Sequence, residues 1–137
     1  VVGNFARGAF SGGGSMTLQH VRGEDASGNE TELEYEPAIS GSVWGEAPLP
    51  GRMRMTAELA VVGAQHYIDL DSGAFADLAS GARIDLRVAR GFDLRSAGPW
   101  HRIDAQLAVE NIADLPVYDQ AGLPQPGRTI RLQFRFW

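Results

Sequence analysis

The sequence contains no cysteine and no lysine among its 137 residues. Without cysteine there is no disulfide framework, no thiolate metal site and no thiol nucleophile. All twelve basic residues are therefore arginine, which we read mainly as codon bias from a GC-rich genome. The aptitude of arginine for fixed ion pairs makes a smaller contribution. Long hydrophobic runs are missing too. The longest, Leu59 to Ala64, falls far short of the roughly 20 residues of a spanning helix and is too short for a buried helix. That excludes helical membrane proteins only, because a β-structure hides its apolar face in alternation. The net charge of −5, with no basic stripe, argues against nucleic acid as a partner. A chain of this length makes one domain at most, or part of one. Seventeen glycines are many for a helical protein and ordinary for tight turns and strands. An initiator methionine and a signal peptide are both lacking, so either a processed protein or, by preference, a piece of a longer chain is expected.

What is present is a period of two. From Gly127 to Trp137, Ile130, Leu132, Phe134 and Phe136 fall on one face of an extended strand. Thr129, Arg131, Gln133 and Arg135 fall on the other. The pattern recurs backwards along the chain over Trp100 to Ile112, Ala82 to Arg90, Arg52 to Gly63, Ala38 to Ala47 and Phe10 to Val21. Six strands with one consistent sidedness are expected. The polar face carries charges of both signs at mid-strand, whereas the apolar face is almost free of charge. A soluble β-sandwich also alternates, but a face of mixed charge suits a water-filled or plugged lumen. The connections give a second signal. Arg22 to Pro37, Gln65 to Ser80 and Ala113 to Pro126 are long, Ala47 to Gly51 is short, and Gly91 to Pro99 is intermediate. Long loops alternating with short turns is the order found in outer-membrane barrels. The expected fold is all-β, an antiparallel transmembrane β-barrel segment of about six meandering strands belonging to a larger barrel.

The run Val109-Glu-Asn-Ile-Ala-Asp114, then Tyr118-Asp119 and Gly122-Leu-Pro-Gln-Pro-Gly-Arg128, resembles the C-terminus of TonB-dependent outer-membrane receptors. Those commonly end with a V-x-N-L-x-D … Y-x-D … G-x-P-x-P-G-R segment followed by an aromatic-terminated strand. Tyr35 to Ser42 and Val62 to Gln65 sit where the family has a loop-to-strand entry and a strand-to-loop exit. The resemblance implies that residues 1–137 are the C-terminal part of a receptor barrel of about 22 strands, without the plug domain and most of the barrel. It implies an intact protein in the outer membrane of a Gram-negative bacterium. That protein would take up a scarce ligand, such as an iron-siderophore or cobalamin, with energy relayed by TonB. Its partners would be outer-membrane lipid, the barrel assembly machinery and an extracellular small molecule. The plug domain and the TonB system would belong to the intact protein only, and the piece alone would transport nothing.

The signature residues carried over are Asn111, Asp114, Gly122, Pro124, Pro126, Gly127, Arg128, Phe134, Phe136 and Trp137, all in structural roles. Asn111 and Asp114 are expected to satisfy backbone amides where the strand breaks into the loop. Pro124, Pro126 and Gly127 would stiffen the return into the last strand. Trp137 departs from the family pattern, standing one residue beyond Phe136 and out of phase with the apolar face. We assign it to the interfacial aromatic girdle, with the assembly signal read from Phe136. The alternatives are a small or oligomeric outer-membrane pore or anchor, for which at least eight strands are needed, and a soluble all-β binding module.

No catalytic, cofactor or metal site is expected. His20, His66 and His101 lack pairing at ligand spacing and suit strand ends. Gly12 to Gly14 follows no strand-to-helix pattern, so a phosphate cradle is not expected and small residues facing lipid or a neighbouring strand are. Glu24, Asp25, Glu30, Glu32, Glu34 and Glu36 form an acidic stretch that a solvated loop explains more simply than cation binding. Asp69 to Gly73 opens like a calcium loop but lacks the later ligands. Asn29 to Thr31 matches a glycosylation acceptor, which means little in a bacterial context. No nucleophile elbow or paired-carboxylate arrangement is present, so no enzyme is expected. Arg83, Arg87, Arg131 and Arg135 with Asp85, Asp104 and Glu110 are expected to form a charge ladder on the lumen side.

Overall fold

The computed structural model of the protein describes residues 1–24, 30–95 and 99–137. Every regular element among them is a strand. Seven strands form one antiparallel sheet in chain order. They are β1 (Val2–Arg7), β2 (Phe10–Leu18), β5 (Ile39–Leu49), β6 (Met53–Val62), β9 (Gly81–Asp93), β10 (Arg102–Glu110) and β13 (Thr129–Phe136). Three short hairpins sit in the long connections: β3 (Arg22–Glu24) with β4 (Glu30–Glu32), β7 (Gln65–Ile68) with β8 (Phe75–Leu78), and β11 (Tyr118–Gln120) with β12 (Leu123–Pro124). In an antiparallel meander successive connections alternate between the two ends of the sheet. The three hairpin-bearing connections therefore share one end. The turns at Gly8, at Gly51 and between Asp93 and Arg102 share the other.

The sheet has one strand more than the sequence pattern gives. β1 was invisible because Val2, Asn4 and Ala6 alternate with Gly3, Phe5 and Arg7, which is no binary pattern. It is set by pairing, with Phe5 opposite Gly12 and Gly3 opposite Gly14. The Phe5 ring lies over Gly12, where a Cβ would come within 2.5 Å of it. An aromatic covering a strand glycine pins the register of that pair. The Gly12 to Gly14 run is thus a packing feature between β1, β2 and β5.

Register keeps both faces continuous. Ile130, Leu132, Phe134 and Phe136 of β13 stand opposite Val109, Leu107, Ala105 and Ile103 of β10. Leu107 in turn faces Val88 of β9, and Val88 faces Met55 of β6. Leu59 faces Val43 of β5, which faces Gly14 of β2. A slip of one residue anywhere would send these side chains to the opposite face.

The burial order is inverted relative to a soluble domain. Among the described residues the buried apolar side chains are only Leu78, Ala108 and Val117, and none lies on the apolar face of the sheet. Phe5, Met16, Val43, Leu59, Ile84, Leu107, Leu132 and Phe134 are all exposed, Leu132 at 64%. The most deeply buried side chains include the polar Asn111, Asp85 and Gln65. Hydrophobic side chains are usually inside and polar ones outside. Here the polar side chains cover one another and nothing covers the apolar face. The sheet stands as a single layer, with β1 and β13 as its edges, and is not closed on itself.

Candidate functional site

The connection from β10 to β13 is folded around two residues with positive φ. Asn111 ends β10 at φ +50° and Asp114 follows at +55°. Asparagine and aspartate tolerate this left-handed region better than most residues. Asn111 is 2% exposed. Its Nδ2 donates to the Leu115 carbonyl at 2.8 Å, and its Oδ1 accepts from the Leu115 N–H at 3.1 Å. Its own N–H donates to Asp85 Oδ1 of β9 at 2.9 Å. Asp114 Oδ1 accepts the Arg128 N–H at 2.8 Å, and Arg128 Nε donates to the Ile112 carbonyl at 2.9 Å. Gly127 is what lets the two ends of the loop meet, since a Cβ there would sit 2.8 Å from Asp114 Oδ1. Both expected amide-satisfying roles, of Asn111 and of Asp114, are present in this geometry.

The structure thus brings Asn111, Asp114, Gly127 and Arg128 into one hydrogen-bonded knot. Gly122, Pro124 and Pro126 lie apart from it. Gly122 takes φ +77° in the β11–β12 turn, Pro124 stands opposite Tyr118, and Pro126 leads into Gly127. Gln125 fastens the hairpin back through its N–H to the Val117 carbonyl at 2.7 Å and its Nε2 to Asp119 Oδ1 at 2.6 Å. Val117 is buried over Gly81, where a Cβ would be 3.0 Å from it. Asp85 had been assigned to the charge ladder. Its second task, holding the Asn111 amide, depends on strand register and has no local signal in the sequence.

Across the polar face the ladder is real but wider than expected. Arg131 meets Glu110 at 2.7 Å and Arg83 meets Asp85 at 3.2 Å. Arg87 finds Glu58 of β6 at 3.8 Å, and Arg54 finds Glu46 of β5 at 2.5 Å. Arg102 pairs with Asp104 at 2.7 Å. Glu46, Arg54, Glu58 and Arg102 were outside the expected set. Arg135, which was inside it, stands opposite Asp104 with its guanidinium over the Trp137 ring, 5.5 Å from its centre. At the short-turn end the small residues Ala89 and Gly91 leave a recess of about 390 Å³ walled by Arg52, Arg54, Arg102 and Arg135.

The terminal strand sends its aromatics to opposite faces. Phe134 and Phe136 are on the apolar face, each about half exposed. Trp137 is not in an aromatic girdle on that face. Its side chain lies on the polar face, with Nε1 donating to Asp104 Oδ2 at 2.8 Å. Out-of-phase placement leaves it no other side, because strand side chains alternate. On the apolar face Phe136 is packed instead by Trp100, with ring centroids 5.8 Å apart.

The remaining candidates do not converge. His66 Nδ1 lies 2.7 Å from Asp77 Oδ1 across the β7–β8 hairpin, so it does have an acidic partner, and His20 accepts from Arg22 Nε at 2.8 Å. Among the described residues no group of three His, Asp or Glu side chains is arranged to hold a metal ion. Glu36 accepts from Gln19 at 2.6 Å. Asp25 and Asn29 lie outside the described residues, as do the side chains of Glu24, Glu30, Thr31 and Glu32. Asp69 Oδ1 accepts the N–H groups of Asp71 at 2.9 Å and Ser72 at 3.0 Å, which commits the carboxylate to closing a turn. The Ser72 and Asp71 amides hold that carboxyl below its usual value of 3.8. A lowered folded pKa means that the turn gains stability above pH 3.8 and loses it as pH falls through the lowered value. Amide protection factors in the β7–β8 hairpin, measured relative to intrinsic exchange at each pH, should therefore fall at acid pH in the parent chain. In Asp69→Ala protection should already be lower at neutral pH and lack that acid step.

No protein-family model matches this chain, and no curated protein matches it significantly. The class that fold and site define is an all-β, single-layer antiparallel sheet. It has one uncovered apolar face, one ion-paired face, and hairpin-bearing connections at one end.

Proposed function

We propose that this chain forms the C-terminal part of the β-barrel of a TonB-dependent outer-membrane receptor, with its apolar face against lipid and its charged face toward the lumen. The intact receptor would take up a scarce ligand, such as an iron-siderophore or cobalamin, at the expense of energy relayed by TonB. One observation carries the reading: the apolar face runs through β2, β5, β6, β9, β10 and β13 and reaches Phe5 of β1 with nothing packed on it. A contiguous apolar surface of this extent needs a cover, and lipid supplies one without a second protein layer.

Three further features support it. From Ala82 to Phe92 of β9, at about 3.4 Å per residue and a tilt of about 40°, the apolar band is about 26 Å tall, close to the ~25 Å of outer-membrane barrels. Phe10, Phe92, Trp100 and Phe136 cluster at the short-turn end of that band, where an aromatic girdle belongs. The Arg90 guanidinium, on the apolar side of β9, lies 4.6 Å above the Phe92 ring, as a cation does at an interface. The hairpin-bearing connections would face outside the cell and the short turns the periplasm. The Asn111 to Arg128 knot has the residues of the receptor family's terminal segment.

The absence of cysteine makes the test clean. Single cysteines at Leu132, Gln133, Phe134 and Arg135 are labelled with a fluorophore after the chain is refolded into vesicles. Nitroxide lipids should quench the label at Leu132 and Phe134, and much less at Gln133 and Arg135. Uniformly weak quenching would mean that something other than lipid covers this face.

A further inference from the structure

The terminal strand is an edge, and every residue of β13 beyond Thr129 is exposed. Its backbone pairing with β10 therefore receives little help from burial. Hydrogen bonds alone do not select one register, because a slip of two residues preserves both the ladder and the faces. On the apolar side such a slip would exchange Leu132, Phe134 and Phe136 for one another, at small cost. At the loop end the Asn111 to Arg128 knot fixes the pairing; at the far end of the strand selection has to come from the polar face.

Two side-chain ties join β13 to β10 there, and both are diagonal in the same sense. Arg131 stands opposite Ala108 but reaches Glu110 at 2.7 Å. Trp137 exchanges backbone hydrogen bonds with Arg102, its N–H donating to the Arg102 carbonyl at 3.0 Å, but its indole Nε1 reaches Asp104 at 2.8 Å. Each tie thus runs two residues further along β10 than the backbone partner. The Trp137 tie is also built from below. Arg102 Nε holds the other oxygen of Asp104 at 2.7 Å. Both side chains lie across Gly91, where a Cβ would be 2.5 Å from Arg102 Nη2 and 3.0 Å from Asp104 Oδ1. Arg135 lies against the indole ring. Pairing also continues past Phe136, with the His101 N–H donating to the Trp137 carbonyl at 2.7 Å.

We propose that Trp137 and Asp104 form a register lock: the indole N–H, caught by a carboxylate pre-oriented by Arg102 over Gly91, fixes which residues of β13 face which residues of β10. Arg131 with Glu110 is the second point of the lock. The slip that sets Leu107 opposite Ile130 carries Glu110 and Asp104 four residues from the positions opposite Arg131 and Trp137 and removes both ties, whereas the slip that sets Leu107 opposite Phe134 turns both diagonals into directly opposed pairs. The out-of-phase position of Trp137 follows from this role. A tryptophan in phase with Phe136 would reach no polar partner on β10.

Paired cysteines read the register directly. Leu107→Cys with Leu132→Cys reports the native pairing, and Leu107→Cys with Phe134→Cys or Ile130→Cys reports the two slips. In the refolded full chain the native pair should form a disulfide well ahead of the slipped pairs. Trp137→Phe keeps an aromatic ring but lacks the N–H donor. It should shift the native-to-slipped ratio by about fivefold (about 1 kcal/mol). Combining it with Arg131→Gln should shift the ratio further, chiefly toward the Leu107–Ile130 pair. Asp104→Ala should act like Trp137→Phe. Should Asp104→Ala fail to fold by circular dichroism, Trp137→Phe decides alone, since it leaves the Arg102–Asp104 pair in place. An unchanged ratio in Trp137→Phe and in the double variant would overturn the lock. The readout needs no bilayer and is independent of where the protein resides.

Discussion

Replacing Asn111 by alanine should destabilise the sheet by about 3 kcal/mol, among the largest effects available to a single substitution. Three costs add. The Leu115 N–H and carbonyl lose their partners at 3.1 and 2.8 Å in a part-buried site, and unsatisfied groups cost about 1–3 kcal/mol. Alanine must then adopt the φ of +50° that asparagine accepts, at about 1 kcal/mol or more. A position only 2% exposed also gives water little access to repair the loss. Asn111→Gly separates these terms. Glycine takes the positive φ freely and should recover about 1 kcal/mol of the loss, while leaving the hydrogen-bond deficit. Denaturant unfolding of the three proteins in detergent micelles measures the series. A cost below about 0.5 kcal/mol for the alanine variant would mean that Asp85 and the backbone hold the loop without this side chain.

Arginine at Leu107 should have an effect of similar size, for a different reason. Leu107 lies midway along β10 on the apolar face and is already 45% exposed within the protein. In water, adding a charge at such a site would cost little. In a bilayer, an arginine near the midplane of a barrel's lipid face costs about 2–4 kcal/mol. Leu107→Arg should accordingly lower stability by about that amount in phosphatidylcholine vesicles. Ser42→Arg, on the polar face opposite Ser15 and Ala60, should stay within about 1 kcal/mol of the parent. Equal, small effects at the two positions would contradict the assignment of the apolar face to lipid.

The strands that alternate cleanly were legible from sequence, and their reason is physical. β13, β10, β9 and β6 each carry charges on one face and branched or aromatic residues on the other, so period two is written in every residue. β1 carries Gly3, Asn4 and Ala6, which lack that contrast, and it exists through its pairing with β2. The hairpins β7–β8 and β11–β12 lie in segments read as plain loops. Their four- and two-to-three-residue strands are shorter than a pattern can register. The terminal knot was half legible. Asn111 and Asp114 advertise loop breaks by residue type, and Gly127 by its flanking proline. Asp85 as the acceptor for Asn111, and Asp104 as the acceptor for Trp137, are contacts 26 and 33 residues apart in the chain. Such partners follow from register, which local sequence does not carry. Trp137 itself was placed correctly in phase and wrongly in role.

Seven is an odd number, and in an antiparallel meander an odd number makes the first and last strands point the same way. β1 and β13 therefore cannot pair antiparallel with each other, and neither can the facing edges of two copies of this sheet set side by side in the same orientation. A seam between β13 of one copy and β1 of the next would be parallel. Any all-antiparallel cylinder containing this sheet must take its remaining strands in an odd number, with the strand beside β1 and the strand beside β13 both running against them. Parity alone thus requires that any all-antiparallel completion of this meander come from different strands and not from repetition of itself.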